Sequence, residues 1–428
     1  ILADEGIAIL EWYTCYHTRS EQCGCIKPKP FFIEKAAGEY GIEPAASFIM
    51  GDHPHDVLTG KELGVQGLYL LSGHGLKHLS EVPYEIPVFH TLGEGAEWLL
   101  QHSSPGTSLP EMIAAGAAAI RNGELVAFPT ETVYGLGADA LNADAAARIF
   151  IAKQRPLEDP LIVHIAEKED IEALVTRLPE KAELLIERFW PGPLTLVLPK
   201  SPAVPDIITA GGATVAVRMP AHPVALELIR QARKPVAAPS ANLFGKTSPT
   251  TAAHVAEQLE GRYAVLIDGG ASRVGVESTV LSLVDEIPVI LRPGGVTREE
   301  LEAVVGEVTV KGWSERPAAG ERITSPGMLP SHYAPATPMV LVDDAAVYAD
   351  DPEAAIILRE PTTRHFAGSI FILGHGGTMA GAAAMLYQTL RLVDRMDFRL
   401  IVAERFPDSG IGAAVNDRLE RAAAGTQA

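Results

Sequence analysis

The sequence predicts a multi-domain α/β protein, and three observations support this. Its 428 residues are more than one hydrophobic core usually holds. Hydrophobic residues make up 47% of the chain and charged residues 21%, which is typical of a folded globular protein. From about residue 108 onward, short β-type runs alternate with helical patterns, as in strands and helices packed in layers.

Composition divides the chain into four segments. Residues 1–104 contain all three cysteines, and residues 108–308 alternate strand-like and helix-like patterns. Residues 309–336 concentrate Pro, Gly and Ser, which predicts a linker. Residues 337–428 contain the runs "PMVLVDD", "AAIILRE", "SIFILG" and "FRLIVAE" around an Ala-rich helical pattern at 378–395. This last segment is therefore predicted to form a small parallel αβ domain.

Charge and hydropathy exclude two classes of partner. The formal net charge is −19, and no block of Lys and Arg is present that could follow a phosphate backbone, so we expect no stable nucleic-acid binding. No apolar run reaches the roughly 18 to 20 residues of a membrane helix, and "ILADEGIAIL" lacks the features of a leader peptide. We therefore expect a cytoplasmic protein without a membrane partner.

The stretch "CYHTRSEQCGC" places Cys15, His17, Cys23 and Cys25 within eleven residues. Three thiolates and an imidazole from one short loop suit tetrahedral Zn²⁺. The alternative is a set of reduced cysteines beside a surface histidine, and a disulfide is disfavoured in a reducing compartment.

A second pattern of metal-ligand type follows the apolar run "SFIM". Asp52 and Asp56, in "GDHPHDVLTG", would lie at the tip of a strand, where carboxylates commonly hold Mg²⁺. A capped turn with two solvated acids is the alternative.

Taken together, the Cys/His loop, Lys27 and the two aspartates resemble the zinc-containing heptose-bisphosphate and histidinol-phosphate phosphatases of the HAD superfamily, over about residues 1–100. The resemblance implies that Lys27 steadies a phosphate and that Asp52 and Asp56 hold Mg²⁺. These enzymes use an aspartate nucleophile in a DxD motif upstream of the zinc loop, and this sequence has no such motif. The resemblance therefore implies a partial domain, truncated or non-functional as a phosphatase.

"FPTETVYGLG", residues 128–137, follows the predicted strand "ELVAF". Pro129 lacks an N–H and ends the ladder, and the glycines allow close backbone approach. Hydroxyl groups at this turn can bind a polar ligand without adding charge. The alternative is that Thr130 and Thr132 only cap the next segment.

Cationic side chains recur at the predicted strand ends of the same segment. Lys153 and Arg155, in "IAKQRP", would point the same way on an extended segment and clamp a phosphate; a solvated basic pair is the alternative. His164 lies in the strand-like "PLIVHI", where a core histidine is the alternative.

Alternation in "ATVAVRMP" predicts a strand with Thr214, Ala216 and Arg218 on one face and Val215 and Val217 on the other. An arginine on a face of small residues needs an anion. "AAPSANLFGKTSPT", "VESTVLSL" and "VILRPGG" add further donors, namely Ser240, Asn242, Ser248, Ser278 and Arg292. Jointly these residues predict a cleft suited to a nucleoside triphosphate and a small zwitterion.

Seven motifs in order, "FPTETVYGLG", "KQRP…PLIVH", "FWPGPLTLVL", "TVAVRMP", "APSAN…SPT", "STV" and "LRPGG", resemble the YrdC-like domain of threonylcarbamoyl-AMP synthases. The linker "SPGMLPSHYAP" and the segment "GIGAAVNDRLERAA" are similar to the two-domain form of that family, so the resemblance covers residues 108–428. It implies a twisted mixed sheet with helices, followed by a Rossmann-like C-terminal domain.

The resemblance also implies site residues. L-threonine would be held by Thr132, His164, Arg218, the Ala238 backbone and Ser278. ATP would be surrounded by Lys153, Arg155, Asp159, Thr214, Ser240, Asn242, Ser248 and Arg292, with His332 and Tyr333 of the linker closing over it. Lys153, Arg155 and Arg218 would be catalytic through alignment and charge neutralisation. Asp159, where asparagine is frequent, and Phe244, where a small residue is usual, depart from the common pattern.

The family makes threonylcarbamoyl-AMP and pyrophosphate from L-threonine, bicarbonate or CO₂, and Mg²⁺-bound ATP. The product goes to tRNA threonylcarbamoyl-transfer proteins, which form N6-threonylcarbamoyladenosine. Three alternatives remain for the chain: an RNA-binding YrdC-like module, a carbamoyltransferase that uses carbamoyl phosphate, and a sugar-phosphate phosphatase.

Overall fold

The computed structural model describes residues 9–102, 108–311, 333–374 and 378–426. The chain divides into two compact units, Ile1–Gly95 and Ala96–Ala428. Helices and sheets are mixed throughout, which confirms the predicted α/β class. Within the described ranges, no helix is both long enough and apolar enough to span a membrane.

The first unit contains a parallel three-stranded sheet of order β1-β2-β3, in which β2 and β3 are largely buried. The strand predicted at "SFIM" is confirmed as β1. The strands are β1 (Phe48–Gly51), β2 (Gln66–Leu70) and β3 (Val88–Phe89). The helices are α1 (Phe31–Tyr40), α2 (Pro54–Leu58), α3 (Gly75–His78) and α4 (Leu92–His102), within which the division between the units falls.

The second unit begins with a ten-stranded sheet that mixes parallel and antiparallel pairs. Its strands are β4 (Val126–Phe128), β5 (Gly135–Asp139), β6 (Ile162–His164), β7 (Leu194–Pro199), β8 (Thr214–Arg218), β9 (Val236–Ala237), β10 (Val265–Leu266), β11 (Thr279–Ser282), β12 (Val289–Arg292) and β13 (Thr309–Val310). They are arranged β10-β4-β5-β9-β6-β8-β7-β11-β12-β13. The helices are α5 (Leu109–Arg121), α6 (Ala143–Lys153), α7 (Glu180–Phe189), α8 (Pro223–Ala232), α9 (Ala252–Leu259) and α10 (Arg298–Val305).

Strand β8 shows how the sequence pattern places the site. Val215 and Val217 pack into the largest apolar cluster of this unit, and Ala216 packs on the opposite face with residues of β6, β7 and β11. The predicted alternation is thus confirmed. Because side chains on a strand alternate, Arg218 lies on the face of Ala216 and not in the apolar cluster.

The C-terminal part of this unit is a four-stranded parallel sheet of order β14-β17-β15-β16. Its strands are β14 (Met339–Val342), β15 (Ala354–Leu358), β16 (Ser369–Ile372) and β17 (Leu400–Glu404), with helices α11 (Met379–Asp394) and α12 (Ile411–Thr426). All four predicted strands and the Ala-rich helix are confirmed. Helices α11 and α12 carry buried polar side chains as well as apolar ones, among them Tyr387 and Arg418.

Candidate active site

A pocket lies where several strands of the large sheet end. Its empty volume is about 530 Å³, including the part open to solvent. It is formed by the turn between β4 and β5, the ends of β6, β8 and β12, the segment after β9 and the residue before β11. Of the residues predicted to bind ligands, it is lined by Thr132, Arg155, His164, Arg218, Ala238, Ser240, Ser278, Arg292 and Tyr333.

The hydroxyls of the β4–β5 turn form a fixed chain of hydrogen bonds. The Thr130 hydroxyl donates to the Val133 carbonyl at 2.6 Å and lies 2.8 Å from the Thr132 hydroxyl. Thr132 must then donate to Thr130, and it accepts from Arg218 Nη1 at 3.0 Å. The remaining lone pair of the Thr132 oxygen is left for a ligand.

Glu131 is a site residue that the sequence reasoning missed. Its Oε1 accepts from Arg218 Nη2 at 2.5 Å, and both side chains are buried. Oε2 has no hydrogen-bond partner among the described residues. The Glu131 carboxylate therefore holds Arg218 in place and offsets its charge.

His164 lines the pocket as a neutral imidazole. Burial and the nearby charge of Arg218 lower its pKa to about 3, because both disfavour the protonated ring. Its Nδ1 has no hydrogen-bond partner in the part of the chain that the structure describes. A neutral imidazole in a pocket wall can form hydrogen bonds to a polar ligand without adding charge.

Arg155 forms an ion pair with Asp159, from Nη2 to Oδ2 at 2.8 Å. It also donates to the carbonyls of Asp159 and Pro160. Burial lowers the pKa of Arg155 even though Asp159 opposes this effect. Asp159 stands where asparagine is frequent in the family. It is fully buried and serves as the counter-ion of Arg155.

Lys153 lies behind the pocket wall. The prediction that Lys153 and Arg155 share an extended segment is wrong. Lys153 is the last residue of α6, and Gln154 takes a left-handed conformation with φ of 54°. The Lys153 ammonium donates to the carbonyls of Ser240 and Asn242, each at 2.5 Å. Burial lowers its pKa well below the usual value, and Arg155 adds to this effect. Lys153 thus shapes the loop after β9.

The other predicted ATP residues divide into those at the pocket and those behind it. Arg292 donates from Nε and Nη2 to the Ser278 carbonyl, at 3.3 and 2.9 Å. Asn242 bonds carbonyls of its own loop, Ser248 donates to Glu277 at 2.6 Å, and Thr214 is half-buried at the start of β8. His332 lies outside the described residues.

Glu277 is the second residue that the sequence reasoning missed, and it lines the pocket. Its carboxylate accepts from Tyr387 and Arg418 as well as from Ser248. Burial would raise its pKa, but the charges of Arg418 and Arg292 outweigh burial and lower the pKa to about 2. An acidic residue directly before Ser278 was visible in "VESTV", but nothing in the sequence indicated its partners.

In the first unit, the four predicted zinc ligands converge. The Sγ atoms of Cys15, Cys23 and Cys25 lie 3.3 to 3.5 Å apart, and His17 Nδ1 lies 3.4 Å from Cys25 Sγ. Tetrahedral zinc with Zn–S bonds of about 2.3 Å separates its sulfurs by about 3.8 Å. The donor set therefore suits zinc, and the sulfurs lie slightly closer together than in a tetrahedral zinc site.

Lys27 and the two aspartates of the first unit are engaged with protein groups. Lys27 Nζ lies 2.7 Å from Asp56 Oδ1, and Asp52 Oδ2 accepts from the His74 backbone at 2.9 Å. Within the described residues, Asp52 and Asp56 do not join a group of three or more potential metal ligands. Their assignment to Mg²⁺ stays a prediction.

Family models match three ranges of the chain. The family model described as "Telomere recombination" matches residues 118–294, and the model "Threonylcarbamoyl-AMP synthase, C-terminal domain" matches residues 296–424. A HAD-hydrolase-like model matches residues 24–92. The predicted resemblance of the first part to the HAD superfamily is thus confirmed.

Two curated relatives and one solved structure are closely similar. The threonylcarbamoyl-AMP synthase of Bacillus subtilis is 46% identical over 77% of this chain and 97% of its own length. That of Pyrococcus abyssi is 47% identical over 72% of this chain and 93% of its own. The crystal structure of Pyrococcus abyssi Sua5 complexed with L-threonine matches with a TM-score of 0.69 and 44% identity, over 75% of this chain and 96% of that one. The chain belongs to the threonylcarbamoyl-AMP synthase family.

Proposed function

We propose that the chain makes threonylcarbamoyl-AMP and pyrophosphate from L-threonine, bicarbonate or CO₂, and ATP. The observation that carries the proposal is one pocket lined by three buried guanidinium groups, a neutral imidazole and several hydroxyls. The guanidinium groups are those of Arg155, Arg218 and Arg292. Such a pocket suits an amino acid beside a polyphosphate, because cations meet the anionic groups and neutral donors and acceptors meet the rest.

L-threonine is assigned to the side of the pocket formed by β6 and β8. Arg218, oriented by Glu131, would pair the carboxylate. His164 is neutral and can accept a hydrogen bond from the amine or the hydroxyl without repelling the amine. Thr132, the Ala238 backbone and Ser278 complete this side.

ATP is assigned to the side formed by Arg155, Ser240, Arg292 and Tyr333. Arg155 and Arg292 would offset the phosphate charge, together with the Mg²⁺ that accompanies ATP and supplies further neutralisation when bound. Lys153 fixes the carbonyls of the Ser240–Asn242 loop, and so positions donors for the nucleotide.

Catalysis would then rest on alignment and charge, without a covalent nucleophile among the described residues that line the pocket. The neutral threonine amine attacks the carbon of CO₂ with loss of a proton, or that of bicarbonate with loss of water, to give a carbamate. A carbamate oxygen attacks the α-phosphorus of ATP, the bond to the bridging oxygen breaks, and pyrophosphate leaves. Alignment of bound reactants can contribute roughly 7 to 11 kcal/mol. Exclusion of water from the pocket during the reaction would also protect the carbamate. The product would pass to proteins that modify tRNA.

The first unit is proposed to bind Zn²⁺ through Cys15, His17, Cys23 and Cys25. Its role would be structural, because a site with four protein ligands leaves no open position for a substrate. The Mg²⁺ site at Asp52 and Asp56 is proposed as a vestige of the HAD-like ancestor.

The test of the main proposal is direct. The protein is mixed with ATP, Mg²⁺, L-threonine and bicarbonate, the adenylate is sought by mass spectrometry, and pyrophosphate release is measured. Reactions that lack L-threonine or bicarbonate are the controls. Pyrophosphate release that does not depend on L-threonine, with no adenylate formed, would refute the proposal.

A further inference from the structure

Glu277 lines the pocket, yet most of its hydrogen bonds come from the C-terminal part of the unit. Oε2 accepts from Arg418 Nε of α12 at 2.7 Å and from the Tyr387 hydroxyl of α11 at 2.9 Å. Oε1 accepts from Ser248 at 2.6 Å. Glu277 and Arg418 are 141 residues apart in the chain, so this contact joins the two sheets of the unit.

The charges around Glu277 balance within a buried group of four residues. Arg418 also donates to Asp417 Oδ2 at 2.5 Å and to the Pro293 carbonyl at 3.0 Å. Arg421 donates to Asp417 Oδ1 at 3.0 Å. Two guanidinium groups therefore meet two carboxylates, and each of these side chains is less than a tenth exposed.

Arg292 is a cation outside this group whose charge also acts on Glu277. Its guanidinium bonds the backbone and hydroxyl of Ser278, the residue directly after Glu277. In the described part of the chain, no carboxylate lies within the 4.0 Å that defines an ion pair with Arg292. The charge of Arg292 nevertheless acts on Glu277, as the lowered pKa of that carboxyl indicates. Without Arg418, Arg292 would be the main cation left to act on the Glu277 carboxylate.

We propose that Arg418 is a positioning residue for the nucleotide: by binding the Glu277 carboxylate, it keeps Arg292 available for the phosphates of ATP. An unneutralised Glu277 would repel the phosphates and attract Arg292. The C-terminal domain thus supplies part of the electrostatics of the ATP site. This inference rests on the proposed function, because it assumes that the pocket binds a nucleotide.

The same guanidinium also supports the linker residue of the pocket. Arg418 lies over the Tyr333 ring at 5.2 Å, and the rings of Tyr333 and Tyr387 lie 5.7 Å apart. Tyr333 is buried and lines the pocket. Arg418 therefore contacts both the acid and the aromatic side chain of the nucleotide side.

The test compares the affinities of Arg418→Gln for two ligands, a non-hydrolysable ATP analogue with Mg²⁺ and L-threonine, both by calorimetry. We expect the nucleotide Kd to rise about tenfold and the L-threonine Kd to change less than twofold, because Arg418 acts on the phosphates only indirectly, through Glu277 and Arg292. The double variant Arg418→Gln/Glu277→Gln should recover most of the nucleotide affinity, because it removes the exposed negative charge. Arg421→Gln is the matched control, since it removes a buried arginine of the same group that does not bind Glu277.

Equal weakening for both ligands, or a double variant no better than Arg418→Gln, would mean that Arg418 only stabilises the fold and would overturn the inference. If Arg418→Gln does not fold by circular dichroism, Tyr387→Phe decides instead. It removes one donor to Glu277, so the nucleotide Kd should rise two- to threefold, on the order expected for one hydrogen bond. An unchanged nucleotide Kd in Tyr387→Phe would overturn the inference. Wild-type protein that binds both ligands but forms no adenylate would contradict the proposed function alone.

Discussion

The Cys/His cluster of the first unit and the pocket of the second unit are built in opposite ways. The cluster gathers four ligands from residues 15 to 25, and its side chains are half-buried or exposed. The pocket gathers side chains from residues 130 to 333, and its charged residues are almost fully buried. The cluster can therefore form from a local loop, whereas the pocket requires the whole sheet.

The difference also lies in how charge is stabilised. In the pocket, Arg155 and Arg218 each form an ion pair with a buried carboxylate, and both pairs are almost inaccessible to solvent. In the first unit, Lys27 and Asp56 form a pair that water reaches. Removing one partner of a buried pair leaves an uncompensated charge, whereas an exposed pair contributes little. Perturbations of the pocket should therefore have much larger effects.

The largest effect is expected from Arg218→Ala. It removes the proposed partner of the substrate carboxylate and leaves Glu131 unpaired, which costs about 3 to 5 kcal/mol for a buried ion pair. We expect the KM for L-threonine to rise at least about a hundredfold, with a smaller change in the KM for ATP. Steady-state pyrophosphate release measures both.

Arg230→Ala is the control for this experiment, because Arg230 forms a half-exposed pair with Glu167. It should leave both KM values unchanged. If Arg218→Ala raised the KM for ATP more than that for L-threonine, the assignment of Arg218 would be wrong.

The next effect is a loss of stability in acid that depends on Glu277. Its folded pKa of about 2 lies below the usual 4.5, so the unfolded chain binds more protons between these values. The contribution is fully present above about pH 4.5 and is lost as the pH falls toward 2. A shift of this size corresponds to about 3 kcal/mol.

The measurement is the free energy of unfolding in urea between pH 7 and pH 3, for wild type and Glu277→Gln. The advantage of wild type over the variant should shrink as the pH falls. Glu180→Gln, at an exposed helix position, is the control and should track wild type throughout. An advantage that stays constant with pH would contradict the ionised state of Glu277.

A smaller effect on substrate use is expected from Arg155→Ala, although the variant also removes the ion-pair partner of the buried Asp159 and should lower stability. Its guanidinium lines the nucleotide side, but Arg292 and Mg²⁺ would share the neutralisation of the phosphates. We expect the KM for ATP to rise roughly tenfold, as for loss of one of several charged contacts. Arg148→Ala, an exposed arginine on the nearby helix α6, is the control. If Arg155→Ala changed the KM for L-threonine more than the KM for ATP, the assignment of Arg155 to ATP and of Arg218 to L-threonine would have to be exchanged.

Local signals account for what the sequence predicted. The alternation in β8, the apolar runs of the C-terminal sheet and the spacing of Cys15, His17, Cys23 and Cys25 all act within a few residues. The roles of Glu131 and Glu277 could not be predicted in this way. Their arginine partners lie 87 and 141 residues away in the chain. The neighbouring residues in "PTET" and "VEST" do not indicate that either glutamate forms an ion pair.

The error at Lys153 has a different cause. The helix α6 continues through Lys153 because Asn142 caps its start and its apolar residues have helical spacing, and the chain turns only at Gln154. Two cations separated by one residue suggested an extended clamp, but the helix end sends Lys153 behind the wall and Arg155 into the pocket. The sequence spacing of two residues does not show whether a helix ends between them.

The smallest effect on activity is expected from Cys23→Ser. Zinc bound by purified wild-type protein, measured by atomic emission, should be about one equivalent and should fall to near zero in the variant, because three ligands hold the ion more weakly than four. Adenylate formation should change less than twofold, since the pocket draws its residues from 130 onward. Ser20→Ala, an exposed neighbour in the same loop, should keep its zinc. A loss of adenylate formation in proportion to the lost zinc would show that the local site and the pocket depend on each other, and the contrast between them would fail.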